Sequence, residues 1–308
     1  MAHVVVVGSS NTDLVVRSRE LPQPGQTVLG GEFQIVPGGK GANQAVAAAC
    51  AGATVTFVAN IGRDDFGEAA VGRLRAEGID TRYVVRSPSA PSGVALILVN
   101  EQGENLISVA RSSNNELTPA QVEAALPAFR CARCLVAQLE VPLPAVRRAM
   151  TLARRCGVPV LLNPAPARAL PPALLREVTC LTPNRTELQF LAAHAVRTTT
   201  EVEQAAALLL ERGVAHVLVT CGAQGVCWCS AAGTRWLAAP KVRAVDTVGA
   251  GDCFAGTLAA RLAEGVALPD AIGFAMAAAA ISVTRRGAQP GMPRRAEVLK
   301  LLRCLRRG

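Results

Sequence analysis

Short runs of β-branched residues alternate along the chain with longer alanine- and leucine-rich segments of helical periodicity. This alternation is typical of βαβ units, and it predicts a doubly wound α/β three-layer sandwich with a mostly parallel central sheet. The predicted strands are Val4–Val7, Thr54–Ala59, Leu135–Gln138, Val158–Leu162, Val217–Thr220 and Val226–Cys229. The predicted helices are Gly41–Ala51, Phe66–Glu77, Thr118–Leu126 and Thr199–Arg212, of which the third ends before Pro127 and the others end at a glycine.

Two regions interrupt the alternation, residues 13–36 and residues 92–109. The first contains prolines and glycines, and the second has Gly103 between two strand-like runs, so both are predicted to be β-hairpins. We expect them to form a small β-sheet that covers one end of the main sheet as a lid over a pocket. Because no repeat or low-complexity linker divides the chain, residues 1–308 are interpreted as one domain.

The composition allows a large core and argues against two classes of partner. Half of the 308 residues are apolar, but no run reaches the roughly 18 apolar residues of a membrane span, and residues 271–284 are predicted to form a buried helix. The net charge of +9 comes from scattered arginines, and only 3% of the residues are aromatic, which disfavours nucleic acid binding. The charge is better explained by attraction of anionic substrates. The basic residues of 294–307 alternate with apolar ones, which predicts a terminal helix with a solvated face.

The start of the chain and its cysteines favour a cytoplasmic location. Val4–Val7 follows neither a basic leader nor a full apolar signal core, so secretion is not expected. The ten cysteines are expected to be reduced and mostly buried. Cys131-x-x-Cys134 has the spacing of a metal or redox motif, but Cys227 and Cys229 are too close in sequence to complete a zinc site with it.

Two common nucleotide-binding loops are missing from the sequence. The first predicted strand leads into Gly-Ser-Ser-Asn-Thr-Asp at residues 8–13 rather than into a G-x-G-x-x-G turn, which disfavours an NAD-dependent oxidoreductase. Lys40 lies in Gly-Gly-Lys-Gly and is followed by glycine rather than by serine or threonine, so it does not belong to a Walker A loop. A nucleotide phosphate would have to be bound by another structure.

The strongest candidate for that structure is the segment Asp-Thr-Val-Gly-Ala-Gly-Asp at residues 246–252, which precedes a predicted helix ending at Gly265. The free N–H groups and the positive end of the helix dipole would make an anion hole of Gly249, Ala250 and Gly251. Asp252 would then lie beside the phosphate and could accept the proton of an attacking hydroxyl. The plainer alternative is that Asp252 only caps the helix.

At this point the chain closely resembles the PfkB, or ribokinase, family of sugar kinases. The segment at residues 246–252 matches the C-terminal signature of that family, and Gly-Gly-Lys-Gly-Ala-Asn-Gln at residues 38–44 matches the N-terminal one. Further matches lie at Asn11-x-Asp13, residues 163–167, residues 182–184 with Glu187, and residues 287–290. The resemblance covers the whole chain and implies the family fold, a mostly parallel sheet between helices with a β-lid.

The resemblance also assigns residues to the sugar and to ATP. The sugar-binding set is Asn11, Thr12, Asp13, Gly39, Lys40, Gly41, Ala42, Asn43, Glu140 and Asp252. Carboxylates and amides suit sugar hydroxyls, which both donate and accept. The ATP-binding set is Asn184, Thr220, Cys221, Gly222, Ala223, Gln224, Gly225, Gly251, Asp252 and Met276, the last at a place where relatives often have a polar residue.

Without the resemblance, several of these residues have plainer interpretations. Asn11 and Asp13 could form an Asx turn at the end of the first strand, and the two glycines before Lys40 could be an ordinary turn. Asn184 and Glu187 could simply cap a helix.

Two cations are implied as well. The family pattern makes Glu187, acting through water, the residue that organises Mg²⁺ on the nucleotide, and Mg²⁺ commonly keeps several waters in this way. It also implies an activating K⁺ held by Asp246, Val248, Ser282, Arg285, Gly287 and Gly291. Oxygen ligands suit such a hard cation. The plainer alternative is that Asp246 caps a turn and that the segment after Gly287 is an ordinary loop.

The resemblance implies transfer of the ATP γ-phosphate to the 5-hydroxyl of D-ribose, with 2-deoxyribose and fructose as close alternatives. Phe33 is the only aromatic residue between residues 8 and 43, which disfavours stacking of a nucleoside base. A phosphofructokinase would need cations to bind a second phosphate, and Arg17 and Arg19 are the only nearby candidates, which disfavours this activity. A catalytically silent sugar- or nucleotide-binding protein of the same fold is the alternative from another class. An exposed lid edge would favour a homodimer through the lid.

Overall fold

A nine-stranded sheet lies between two layers of helices in the computed structural model, which describes residues 2–305. The strands are β1 (His3–Val7), β2 (Asn11–Arg17), β3 (Glu32–Gly38), β4 (Thr54–Gly62), β5 (Asp80–Ser87), β6 (Gly93–Val99), β7 (Asn105–Ala110), β8 (Cys134–Ala137), β9 (Val160–Leu162), β10 (Cys180–Leu181), β11 (His216–Thr220), β12 (Val226–Ser230) and β13 (Gly233–Leu237). The helices are α1 (Lys40–Cys50), α2 (Asp65–Ala76), α3 (Pro119–Ala124), α4 (Leu126–Cys131), α5 (Leu143–Arg155), α6 (Pro172–Leu175), α7 (Arg185–Ala192), α8 (Thr199–Glu211), α9 (Ala250–Ala263), α10 (Leu268–Ser282), α11 (Ala288–Gly291) and α12 (Arg295–Leu305).

The central sheet is buried on both faces, as the β-branched runs predict. Along β1, Val5 and Val7 pack into one apolar cluster, whereas Val4 and Val6 pack into the other. The first cluster includes residues of α4, α5 and α8, and the second includes residues of α1, α9 and α10. Successive side chains of a strand point to opposite faces, so helices cover both sides and the predicted three-layer sandwich is confirmed.

The strand order creates a crevice at one end of the sheet. The order is β13-β12-β11-β10-β9-β8-β1-β4-β5, with β12 and β13 antiparallel to the strands beside them. From β1 the chain winds outward through β4 and β5, and it then returns to β8 on the other side of β1. Ligands of open α/β sheets bind beyond the carboxyl ends of the strands at such a switch point. The residues that follow β1 and β8 therefore border the expected binding crevice.

The lid is a separate four-stranded sheet in the order β3-β2-β6-β7. β2 pairs antiparallel with β3, and β6 pairs antiparallel with β7, which confirms both predicted pairings. β2 and β6 run parallel in the middle. At the base of β6, the Asp64 carboxylate accepts hydrogen bonds from Ser92 N at 2.7 Å and Ser92 Oγ at 2.6 Å, and it also caps α2 by accepting from Gly67 N. The start of β6 in the lid is thus fixed to the segment that follows β4 of the main sheet.

The helix ends agree with the predictions except at Pro127. Thr118 caps α3 with a reciprocal capping box, but the chain continues into α4, which carries Pro127 in its first turn. The predicted helix Thr118–Leu126 therefore ends earlier, at Ala124, and Leu126 begins a second helix, whose first turn accommodates Pro127. The buried helix predicted at residues 271–284 lies within α10 up to Ser282, and α12 covers most of the predicted terminal helix. The end of that prediction, Arg306 and Arg307, lies outside the described residues.

The remaining composition-based expectations concern membranes and cysteines. In residues 2–305, no helix is long and apolar enough to cross a bilayer. All ten cysteines are free thiols, and six of them are buried. Cys134 lies in the sheet core while Cys131 is exposed at the end of α4, so the two do not form a joint site.

Candidate functional site

The polar residues of the site meet beyond the carboxyl ends of β1 and β8, under the lid. Asn11 and Asp13 lie on β2, Lys40 and Asn43 on α1, and Asp252 on α9. Glu140 follows β8. The sequence therefore brings together residues up to 241 positions apart, and it does so at the switch point of the sheet.

Asp252 is buried, with 6% of its surface exposed, and both of its carboxylate oxygens accept hydrogen bonds from α1. Asn43 Nδ2 donates to Oδ2 and Gln44 Nε2 donates to Oδ1, each at 2.9 Å. The N-terminal position of α9 is occupied by Gly249, without a side-chain cap. The interpretation of Asp252 as a helix cap is therefore wrong, because its carboxylate points away from its own helix towards the crevice.

The start of α9 has the form expected of an anion hole. Gly249 has φ of 76°, in the left-handed region, and a Cβ built there would lie 2.6 Å from Ala288 Cβ. Only glycine fits both restrictions. A Cβ on Gly251 would meet no atom within 4 Å, so a ligand can approach the backbone closely there. The N–H of Ala250 donates to Thr247 O at 3.2 Å. N–H groups at the start of a helix that have no partner within it attract anions.

Lys40 lies between the two halves of the site. The carboxylate of Asp252 raises the pKa of Lys40, burial opposes this effect, and Glu140 and Glu187 raise the pKa further. Glu140 belongs to the predicted sugar side and Glu187 to the predicted nucleotide side. A single ammonium group thus lies in the field of both, which suits a cation that contacts a phosphoryl group in transfer.

Asp13 is in an unfavourable position for a charged group. Burial raises the pKa of Asp13 to about 6, with further contributions from the charges of Glu140 and Asp252. Its carboxylate lies so close to Gly38 that a Cβ on that glycine would be 2.3 Å from either oxygen. Asn11 and Asp13 both lie within β2 rather than in an Asx turn. Three carboxylates therefore line the sugar side when no ligand is present.

Glu140 is oriented by Ser9, which the sequence did not single out, and by the backbone of Lys40. Ser9 Oγ donates to Glu140 Oε2 at 2.5 Å, and the backbone N–H of Lys40 donates to the same oxygen at 3.0 Å. Ser9 is fully buried. On the opposite side, Asn114 Oδ1 accepts from Ser10 N, and Asn114 Nδ2 donates to Asn11 Oδ1 at 2.8 Å. Asn114 thereby leaves the amide N–H groups of Asn11 free to point into the crevice.

Some predicted sugar residues shape the site only through the backbone. Thr12 is buried on the opposite face of β2 from Asp13. A Cβ on Gly41 would lie 2.5 Å from Ser9 N, and Ala42 N donates to Ser9 O. Gly39 has φ of 87° and lies against Ser10. These residues allow α1 to approach the end of β1 closely.

Seven of the ten predicted nucleotide residues, Asn184 and Thr220–Gly225, lie beside one another at the ends of β10 and β11, whereas Gly251 and Asp252 lie on α9 and Met276 on α10. Asn184 forms an isolated parallel bridge with Thr220, and the loop Cys221–Gly225 follows as a short 3₁₀ turn. Arg185 donates to the Gln224 side chain and so joins this loop to α7. Gly222, Ala223 and Gln224 are exposed. Met276 lies partly buried on α10 against the apolar cluster that includes α9.

Asn184 and Glu187 form a capping box at the start of α7. Glu187 N donates to Asn184 Oδ1 at 2.8 Å, and Asn184 N donates to Glu187 Oε2 at 2.9 Å. The capping interpretation is thus confirmed. Burial raises the pKa of Glu187, while the hydrogen bond from Asn184 and the charge of Lys40 oppose this effect. Each carboxylate oxygen has lone pairs beyond those used here, so contact with a hydrated cation fits the geometry.

The predicted K⁺ residues form a loop cluster behind the start of α9. Asp246 Oδ1 accepts from Val248 N at 3.0 Å, which is a local turn, and Oδ2 accepts from Gly287 N at 2.8 Å. A Cβ on Gly291 would lie 3.3 Å from the carbonyl oxygen of Ser282 and 4.0 Å from that of Arg285. The two carbonyl oxygens thus lie near Gly291, and the Asp246 carboxylate contacts the other end of the same turn at Gly287. Oxygen donors of this kind suit a hard cation.

The open clefts elsewhere on the molecule do not coincide with this site. One of about 960 Å³ is lined by residues such as Ala2, Arg133 and Gly157, and lies beyond the amino ends of the parallel strands. The charge cluster at the carboxyl ends is the better guide to chemistry, because perturbed ionisable groups concentrate at functional sites.

Comparison with known proteins finds relatives over almost the whole chain. The model of the pfkB family carbohydrate kinases matches residues 1–295. The chain is 39% identical to the ribokinase of Haemophilus influenzae, over 97% of this chain and 98% of that protein. It is 36% identical to the deoxyribokinase of Salmonella typhi, over 94% and 95% of the two chains. The structure of Arabidopsis thaliana ribokinase complexed with ribose and ATP superposes with a TM-score of 0.91 at 33% identity, covering 97% of this chain and 98% of that one.

Replacement of Asp13 by asparagine is expected to stabilise the unliganded protein above pH 6. Because the folded-state pKa of about 6 exceeds the ordinary value of 3.8, the folded protein binds more protons between these pH values, and its stability falls as the pH rises through that window. Asp13→Asn removes a penalty of about 1–3 kcal/mol at pH 8. Melting temperatures from pH 4 to 8.5 should diverge with rising pH. The control is Asp65→Asn, at an exposed position next to Asp64, the N-cap residue of α2. A difference in melting temperature between Asp13→Asn and the wild type that does not depend on pH would contradict the interpretation.

Proposed function

The chain belongs to the pfkB family of carbohydrate kinases, and on that premise we propose that it transfers the γ-phosphate of ATP to the 5-hydroxyl of D-ribose, giving D-ribose 5-phosphate and ADP. The observation that carries the proposal is the position of Asp252, a buried carboxylate at the open start of α9 with both oxygens fixed by amide donors. A carboxylate there has the geometry of a base beside an anion hole.

In this proposal Asp252 takes the proton of the sugar hydroxyl as its oxygen bonds to the γ-phosphorus. The bond between that phosphorus and the bridging oxygen breaks, and ADP leaves with the electron pair. The N–H groups of Gly249, Ala250 and Gly251 would stabilise the negative charge of the transferring group, although that of Ala250 also donates to Thr247 O at 3.2 Å. Lys40 adds a positive charge between the two substrates.

The sugar would be held under the lid by Asn11, Asp13, Asn43 and Glu140. Asn11 offers N–H donors, since its oxygen is occupied by Asn114, and Asp13 and Glu140 offer acceptors for vicinal hydroxyls. Ribose is favoured by the similarity to ribokinases, and 2-deoxyribose by the weaker similarity to a deoxyribokinase. Fructose remains a third alternative. These sugars differ by one hydroxyl or one carbon, and small differences in pocket contacts decide which of them is preferred.

ATP would lie along the loop Thr220–Gly225 and Asn184, with its phosphates towards Gly251 and Asp252 and its base near Met276. Glu187 would orient Mg²⁺ on the phosphates through water, since it is buried and both of its oxygens already accept from Asn184. Bound Mg²⁺ supplies charge neutralisation of the nucleotide phosphates. The use of ATP suits the proposed cytoplasmic location.

A sugar- or nucleotide-binding protein without catalytic activity is the second candidate. Loss of Asp252, or of the glycines that open the start of α9, would favour it. Both are present with fixed geometry, and we therefore favour the enzyme.

An assay of ADP release against pentoses, hexoses and nucleosides tests the proposal. With ATP and Mg²⁺ present, ribose is expected to give the highest kcat/KM, and 2-deoxyribose and fructose lower values. Equal release without any sugar would indicate simple ATP hydrolysis. Failure of every sugar, combined with normal sugar binding by calorimetry, would favour the non-catalytic alternative.

We propose further that K⁺ activates the enzyme from the cluster of Asp246, Val248, Ser282, Arg285, Gly287 and Gly291. The cluster adjoins Gly249 through Ala288, so an ion there would fix the N–H groups of the anion hole rather than touch substrate. Replacing K⁺ by tetramethylammonium at constant ionic strength is expected to reduce kcat severalfold with little change in the KM for the sugar. The kcat of Asp246→Ala should be low, and it should not change when K⁺ is replaced by tetramethylammonium. Indifference of the wild type would contradict the proposal.

We also propose that two copies of the chain associate through their lids. The face of the lid opposite Asp13 carries two rows of three cross-strand neighbours, Ile35–Leu14–Leu96 and Phe33–Val16–Leu98. Phe33, Ile35 and Leu96 are each more than half exposed, and exposed apolar patches of this kind mark interaction surfaces.

Sedimentation measurements test the association. The wild type is expected to be a dimer at micromolar concentration, and Ile35→Glu should shift it to monomer because it places a charge in the apolar face. Leu299→Glu, on an exposed position of α12, is the control. A monomeric wild type would overturn the proposal.

A further inference from the structure

Two series of hydrogen-bonded side-chain amides converge on Asp252 from opposite sides. On one side Gln138 Nε2 donates to Gln44 Oε1 at 2.6 Å, and Gln44 Nε2 donates to Asp252 Oδ1 at 2.9 Å. On the other side Gln289 Nε2 donates to Asn43 Oδ1 at 3.1 Å, and Asn43 Nδ2 donates to Asp252 Oδ2 at 2.9 Å. Each carboxylate oxygen thus receives a hydrogen bond from an inner amide, and each inner amide receives one from an outer glutamine.

The outer glutamines determine which way the inner amides face. A primary amide has one acceptor oxygen and one donor nitrogen, whereas an ionised carboxylate only accepts. If Gln44 or Asn43 turned over, its oxygen would face a carboxylate oxygen and its nitrogen would face the donor nitrogen of the outer glutamine. Both contacts would be repulsive. The outer hydrogen bond therefore favours the one orientation in which the inner amide donates to Asp252.

Burial makes this orientation matter energetically. Gln44 and Gln138 are fully buried, and Asn43 is 5% exposed, so water cannot readily replace a missing hydrogen bond. Gln44 Nε2 also donates to Asn163 Oδ1 at 3.2 Å, which reinforces its orientation. For Asn43 Oδ1, Gln289 is the only hydrogen-bond donor in the part of the chain that the structure describes.

Gln138 occupies its place at an energetic disadvantage. Its Oε1 is buried without a hydrogen-bond partner among residues 2–305, and a Cβ on Gly8 would lie 1.9 Å from it. A buried polar atom without a partner costs about 1–3 kcal/mol. An apolar residue would avoid this penalty, so the function of the side chain lies in its donor nitrogen, which contacts Gln44.

We infer that Gln138 and Gln289 are positioning residues for Asp252, acting through Gln44 and Asn43 to hold its carboxylate in one orientation. The inference rests on the proposed function only for the role of Asp252 as base. Gln289 lies in the turn that also contains Gly287, whose N–H donates to Asp246. The hydrogen bonds through Gln289 and Asn43 therefore connect the proposed K⁺ cluster to the base.

A stability cycle tests the inference without relying on activity. Asp252→Asn places an NH₂ group where an oxygen was, so one inner amide has to turn over, and the outer glutamine opposes this. We expect Asp252→Asn to lower the melting temperature by about 1–2 °C less in Gln289→Met than in the wild type, an effect of about 1 kcal/mol. Gln138→Met should show the same sign with a smaller size, because Asn163 still holds Gln44.

The control for this cycle is Asn60→Leu, which removes another buried amide that donates to Glu116 O and should combine additively with Asp252→Asn. Gln289 is only partly buried, so its variant can be measured even if Gln138→Met does not fold. Additive melting temperatures for Gln289→Met would overturn the inference.

Kinetics provide the second arm. Each outer variant is expected to lower kcat on the order of 10-fold, with the KM for ATP unchanged, because small misplacements of a catalytic group have effects of this size. Gln138→Met should lower kcat no further in a Gln44→Met background, nor Gln289→Met in an Asn43→Leu background. Independent, multiplicative losses would contradict action through the inner amides. If the wild type phosphorylates no sugar, the proposed function fails, and the stability cycle still decides the inference.

Discussion

A buried carboxylate at the start of a helix is the constraint on which the rest of the site depends. Asp252 is almost completely removed from water, and an ionised group in such a place is stable only when hydrogen bonds and nearby positive charge replace its hydration. The amides of α1 supply the hydrogen bonds, and Lys40 and the positive end of α9 supply the charge. The close approach of α1 to the end of β1 follows from this need, as does the left-handed glycine that begins α9.

The unliganded site is electrostatically strained on its sugar side. Asp13, Glu140 and Asp252 lie close enough for their charges to interact, with Lys40 as the neighbouring cation. A ligand with several hydroxyl donors would relieve this strain. This is the usual opposition between stability and function at a binding site. It also explains why Ser9 and the N–H of Lys40 are committed to Glu140, since an acceptor in a crowded site needs its own donors.

Much of the fold and the centre of the site could be predicted from the sequence, because both depend on local patterns. β-Branched runs and glycine-ended helices gave the alternation, and Gly-Ala-Gly-Asp before an apolar periodic segment located the start of α9. The missed residues have no such pattern. Ser9, Asn114 and Gln138 are single polar residues near strand or lid ends, and they acquire partners only when β1, β8 and the lid come together. The strands β5, β10 and β13 were not predicted. Of these, β10 has only two residues, which carry too little periodicity to identify a strand. Likewise, Pro127 indicated a helix boundary but could not show that another helix begins at Leu126.

The most direct measurement of the central claim is the turnover of Asp252→Asn with ribose and ATP, combined with calorimetric binding of each substrate. Asparagine keeps the size of the side chain but cannot take up the hydroxyl proton. If Asp252 is the base, kcat should fall by about 10²–10⁴-fold while both substrates still bind with affinities near those of the wild type. Turnover within a few fold of the wild type, with normal binding, would contradict the account.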